Sequence, residues 1–279
     1  MTPNPRPMPT TLALLASVLI PLSGTAIAGD SAGTSAPAAA GSGSDLAKEQ
    51  RWREQIVDSL MDGDAVDLTA GGVTFLGLYT EAEEPTGRAA IILHGIGVHP
   101  NWPQVVYPLR TRLPADGWDT LAIQMPVRPN DAANADYAPL MDEVAPRIDA
   151  ARAYLEEQSA EHVAIVAHSL GATMANRYLA DHPDGADAYV AIGTSGSGVE
   201  PGRDNTSMIA DIRVPMLDLY GQDDLPGVVG SAEQRAKAGA ANPGYHQAMV
   251  PGADHFFDGE NDALVGTVTE WLDETVPAK

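Results

Sequence analysis

The sequence predicts an α/β fold, a mostly parallel sheet with helices on both faces. Short runs such as Ala89-Ala90-Ile91-Ile92-Leu93 and Val163-Ala164-Ile165-Val166 are uniformly apolar, as strands buried on both faces must be. Stretches with apolar residues at helical spacing separate these runs, so strands and helices alternate. A length of 279 residues is enough for one large domain of this kind.

The first 44 residues are expected to lie outside that domain. Arg6 is the only charged side chain before Asp30, and the apolar stretch 11–22 is too short to span a membrane comfortably. Ala26-Ile27-Ala28 puts small residues where a signal peptidase reads them. Residues 1–28 are therefore read as a secretory signal cleaved after Ala28, giving a periplasmic or secreted protein. Residues 29–44 are almost entirely Gly, Ala, Ser, Thr and Pro, a composition that cannot bury a core and predicts a flexible leader.

Residues 45–279 read as one domain. In 45–61, Trp52, Ile56, Val57 and Leu60 recur at helical spacing and predict an amphipathic helix docked on the rest. Strands are expected near 65–68 and 73–79, joined by Gly71-Gly72, then at 88–95 and 120–125. Residues 138–157 read as one helix, with Leu140, Val144, Ile148, Ala151 and Leu155 on one face. Further strands are expected at 162–166, 188–192, 214–220 and 245–250, with helices at 170–179, 232–241 and 262–276. Only about 20 residues separate Ile192 from Val214, where this architecture often inserts a lid, so a minimal lid is expected.

Sixteen Lys and Arg face 38 Asp and Glu, a formal charge of −22, or −23 once Arg6 leaves with the signal. Such a surface repels nucleic acid and anionic membranes. There is no cysteine, which excludes disulfides and thiolate metal sites. No His-Glu-x-x-His or Gly-x-x-x-x-Gly-Lys occurs, and no cofactor or metal is expected.

The chemistry is carried by Ala167-His168-Ser169-Leu170-Gly171, between an apolar run and a helical stretch. A serine at a sharp strand-to-helix turn is lifted above the sheet and faces a helix N-terminus, the context of a nucleophile elbow. Ala167 stands where such turns usually carry a glycine, and alanine is still small. A serine hydroxyl needs a base, an acid to orient that base, and amide donors for an oxyanion. Asp224 is the best acid, in the loop after the 214–220 strand, with Asp223 as the alternative. His255, after the last strand, is the best base. His182, near a helix C-terminus, and His162, His246 and His99 have structural readings, and His168 must point away from the apex. The oxyanion donors are expected to be the backbone amides of Leu170 and Ile96, the latter in His94-Gly95-Ile96-Gly97.

On these segments, with Asn101-Trp102-Pro103 and Leu217-Asp218-Leu219-Tyr220-Gly221, the chain resembles the α/β-hydrolases. Within them it resembles an uncharacterised group of exported bacterial α/β-hydrolase-like proteins, over nearly the whole mature chain. The resemblance implies the fold and a Ser-His-Asp triad, and no substrate. The expected activity is that of a serine hydrolase acting on a small or polymeric carboxylic ester through an acyl-enzyme; thioesters, amides or peptides would use the same machinery. The alternative is a non-catalytic α/β-hydrolase fold that serves as a binding or envelope-assembly protein.

Overall fold

The structure, a computed structural model, describes residues 43–278. The expected signal, its cleavage point and all but the last two leader residues lie outside the described residues. Gly43 and Ser44, grouped with the leader by composition, belong to the folded unit. The Ser44 amide donates to Glu143 (2.9 Å), its Oγ accepts from the Val127 amide (2.7 Å), and Arg128 donates to the Gly43 carbonyl (2.8 Å).

Helix α1 (Leu46–Ser59) is capped by Asp45, whose side chain accepts from the Lys48 amide. Then come β1 (Asp64–Ala70), β2 (Val73–Thr80), β3 (Arg88–Leu93), α2 (Val106–Arg112), β4 (Trp118–Ile123), α3 (Val144–Glu157), β5 (His162–His168), α4 (Leu170–Asp181) and β6 (Ala188–Ile192). The chain closes with α5 (Asn205–Asp211), β7 (Met216–Gly221), α6 (Pro226–Val229), α7 (Ala232–Gly239), β8 (Tyr245–Val250) and α8 (Asn261–Thr275). The eight strands form one sheet in the order β1-β2-β4-β3-β5-β6-β7-β8. β1 and β2 form an antiparallel hairpin and β2 pairs antiparallel with β4; all other pairs are parallel. Gly71 and Gly72 both take positive φ (57° and 81°), as a two-residue hairpin turn that matches strand twist requires.

Alternating side chains of the central strands feed two cores. Ile91, Leu93, Ile165 and Tyr189 pack with α3 and α4 on one face; Ala90, Ile92, Val166 and Val190 pack with α2 and α8 on the other. This is why β3, β5 and β6 read as unbroken apolar runs.

Three elements differ from expectation. The single helix expected at 138–157 is a 3₁₀ segment (Asn134–Glu143) followed by α3. Pro146 would clash with the carbonyl four residues back in a continuous helix; it is tolerated as the third residue of α3, where no intrahelical acceptor is required. The strand expected from 214 starts at Met216, because Pro215 has no N–H to give the ladder. Helix α5 was not expected, although its signal is present: Asp204 caps it, accepting from the Ser207 amide at 2.7 Å. The connection from Ile192 to β7 holds only a loop and this seven-residue helix, so no large lid covers the sheet there.

Candidate active site

Ser169 stands between the last residue of β5 and the first of α4, with φ 55° and ψ −115°. A non-glycine residue at positive φ is strained and persists only where its surroundings enforce it. The enforcement comes from close packing of α4 on the end of β3. A Cβ at Gly171 would lie 2.5 Å from the His94 carbonyl oxygen and 2.8 Å from that of Leu93. The glycine is therefore obligatory at 171 and dispensable at Ala167, a fully buried strand position.

Asp224 and His255 arrive from the ends of β7 and β8. His255 Nδ1–H donates to Asp224 Oδ1 at 2.6 Å, and Nε2 lies 3.0 Å from Ser169 Oγ, placed to accept the hydroxyl hydrogen. Asp224 is buried, and its carboxylate also accepts from the Leu225 amide (2.7 Å) and the Gly221 amide (3.4 Å). The adjacent Asp223 is exposed and gives only its backbone amide, to the Ala253 carbonyl. Of the two candidate acids, Asp224 is therefore the one that meets the imidazole. Gly193 leaves room for the pair: a Cβ there would stand 3.0 Å from His255 Nδ1 and 3.3 Å from Asp224 Oδ2, and its φ is +61°.

Ile96, Ser169, Leu170 and His255 line one cavity of about 120 Å³. The amides of Ile96 and Leu170 have no acceptor among the described residues. Leu170 opens α4, at the helix end where the first N–H groups lack intrahelical acceptors and favour an anion. The loop after β6 supplies another wall through Ser195, Ser197 and Gly198.

Two buried histidines complete the arrangement in roles that sequence reasoning did not assign. His168 does point away from the apex; its Nε2–H donates to the His255 carbonyl (2.9 Å), and the two rings lie 4.8 Å apart. His94 hydrogen-bonds the Gly95 carbonyl through Nδ1 (2.9 Å) and accepts the Met125 amide on Nε2 (3.0 Å), fixing the loop that carries Ile96. The signal for both was position, each closing a buried strand run directly before a glycine or serine turn. Of the other histidines, His182 hydrogen-bonds the Tyr178 carbonyl at the C-terminal end of α4, and His162 lies 3.3 Å from Asp187.

Burial, above all, holds His94 at a pKa of about 3 and His168 at about 4, the latter aided by the nearby His255. The unfolded chain protonates both near 6.5, so below that pH it binds more protons than the folded chain. Stability is therefore expected to fall as pH drops from 6.5 toward 4, by up to about 1.4 kcal/mol per pH unit for each histidine. Guanidinium unfolding at successive pH values measures this slope, and His168→Gln, which retains a donor, should reduce it.

The chain matches the family described as a protein of unknown function (DUF3530) over residues 10–140 and 129–274. The chain belongs to this family. No curated protein matches it in sequence. Solved structures similar to this DUF3530 protein include a dienelactone hydrolase from Anabaena variabilis, at 21% identity and TM-score 0.64 over 76% of this chain and 97% of that one. An esterase from Pyrococcus furiosus aligns at 16% identity and TM-score 0.62, covering 79% and 95% of the two chains. A lidless α/β serine hydrolase from Xanthomonas campestris aligns at 16% identity and TM-score 0.60, covering 78% and 97%. These likenesses establish the α/β-hydrolase fold.

Proposed function

We propose that this DUF3530 protein is an exported serine hydrolase acting on carboxylic esters. The observation that carries the reading is the unbroken hydrogen-bond chain Ser169–His255–Asp224, 3.0 Å and 2.6 Å, on a strained strand-to-helix turn. Asp224 accepts from Nδ1–H and so leaves Nε2 free to take the serine proton. Ser169 Oγ attacks the ester carbonyl as His255 receives that proton, and the amides of Ile96 and Leu170 hold the oxyanion. His255 then protonates the departing alkoxide. Water, deprotonated by the same imidazole, releases the acid from the acyl-enzyme. The small cavity beside Ser169 favours a short acyl group.

A fluorophosphonate probe is expected to label the folded protein on Ser169. Folded protein that stays unlabelled would sink the hydrolase reading in favour of the non-catalytic alternative. Export rests on the sequence of residues 1–28, and Edman sequencing of protein from the periplasm or medium is expected to begin at Gly29. A start at Met1 in that fraction would rule the cleavage out.

A further inference from the structure

A second recess shares with the site the loop that carries the Ile96 amide. Ile96 lines the Ser169 cavity, whereas the next residue, Gly97, lines a groove of about 450 Å³ between α1 and the loops after β3 and β4. Its aromatic side is Trp52 and Trp102, with His99 edge-on between them at ring-centroid distances of 5.4 and 5.6 Å. The rest of its lining is rich in donors. Lys48, itself buried, spends two of its three ammonium hydrogens on the Arg128 carbonyl (2.8 Å) and Asn130 Oδ1 (2.7 Å), and its charge sits 4.7 Å from the Trp52 ring. Arg51 is exposed and has no ion-pair partner among the described residues. His99 Nδ1 accepts the Asn101 amide at 3.2 Å, and burial lowers the ring's pKa to about 4. At neutral pH its hydrogen is therefore on Nε2, as a donor. Asp45 is the one carboxylate in the lining, and its Oδ1 is engaged by the Lys48 amide.

Two cations against one carboxylate, with spare N–H donors and an aromatic wall, give this groove a positive lining in a chain of formal charge −22. An anionic ligand gains there what it loses elsewhere on the protein. A planar or puckered ring finds apolar partners in the tryptophans, and a carboxylate finds Arg51 and Lys48.

We propose that the groove is a subsite for a ring-bearing carboxylate, an acidic sugar or an aryl acid, forming the part of the ester remote from the scissile bond. Its role in turnover rests on the hydrolase reading; its capacity to bind does not. The test uses the Ser169→Ala protein and follows tryptophan fluorescence or ligand-observed NMR. Glucuronate and glucose form one pair of ligands, benzoate and benzamide the other. At least one acid should bind about 10-fold or more tightly than its neutral partner, and the pair that does so identifies the ring. The preference should shrink as salt is raised, by screening, and vanish in Arg51→Glu. Equal binding of acid and neutral partners, or a preference untouched by Arg51→Glu, overturns the proposal. If the acids bind but the fluorophosphonate does not label wild-type protein, the hydrolase reading fails and the groove stands. If the probe labels and neither acid is preferred, the groove proposal fails and the hydrolase reading stands.

Discussion

Ser169→Ala is expected to lower ester turnover by about 10⁴–10⁶-fold while leaving the fold intact. On the proposed mechanism, removing the hydroxyl removes the covalent step, and the rate that remains is expected to come from the Ile96 and Leu170 amides and from substrate binding. The fold is expected to stay intact because alanine meets the same strain at φ 55° as serine, and the packing that enforces it lies at Gly171. Asp224→Asn should cost about 10⁴-fold, because an amide can present its NH₂ to Nδ1 and so stabilise the tautomer with hydrogen on Nε2, which cannot accept from Ser169. Asp223→Asn should change turnover by less than about 2-fold, since that side chain is in solvent. The double variant Ser169→Ala/Asp224→Asn should be no slower than Ser169→Ala alone, because the groups act as one unit. Steady-state rates on a 4-nitrophenyl ester, with circular dichroism as the fold control, decide among these outcomes. Equal losses for the two aspartate variants would reject Asp224 as the orienting acid.

The strands were legible because this fold buries its central ones on both faces, so β3, β5 and β6 leave continuous apolar runs. The positions of Ser169, Asp224 and His255 were legible for a related reason: each follows the C-terminal end of a readable strand. For the acid, the sequence favoured Asp224 over Asp223 without deciding between them. Adjacent residues in a loop point in directions fixed by turn geometry, here the Gly221 and Leu225 amides converging on one carboxylate. The break before α3 was written in Pro139 and Pro146 but masked by apolar residues at helical spacing. The roles of His94 and His168 depend on contacts with Met125 and His255, 31 and 87 residues away in the chain, and local pattern carries no trace of such pairings.

Glu49→Ala is expected to destabilise the protein by about 3–5 kcal/mol, a fall in Tm of roughly 6–20 °C for a domain of this size. Arg147 and Glu49 form a buried bidentate pair, with Arg147 Nη1 and Nη2 at 3.0 and 2.9 Å from the two carboxylate oxygens. The guanidinium also donates to the Gln124 carbonyl (2.8 Å) and lies 5.0 Å from the Phe75 ring. Without Glu49 its remaining carboxylate is Glu143, at 3.3 Å and partly exposed. The cost is therefore that of a buried cation left short of its partner, which differs from the net worth of the pair. Burial pushes the Glu49 carboxyl above its ordinary 4.5, outweighing the hydrogen bonds from Arg147 that pull it down. A carboxyl raised in this way holds its proton in the folded chain where the unfolded chain has released it. Its contribution to stability thus declines as pH rises from 4.5 through the raised value. Desolvation outweighs attraction here, so Glu49→Leu/Arg147→Met should lie near wild-type stability while Glu49→Ala does not. Thermal unfolding of the two variants at pH 7 separates these outcomes, and equal losses would mean that the pair itself is the source of stability. The same anchor sets the groove: α1 presents Glu49 to α3 but Lys48, Arg51 and Trp52 to the recess beside Ile96. Glu49→Ala should therefore weaken binding of the ring-bearing carboxylate as well as the fold, whereas the apolar pair, which keeps α1 docked, should preserve it.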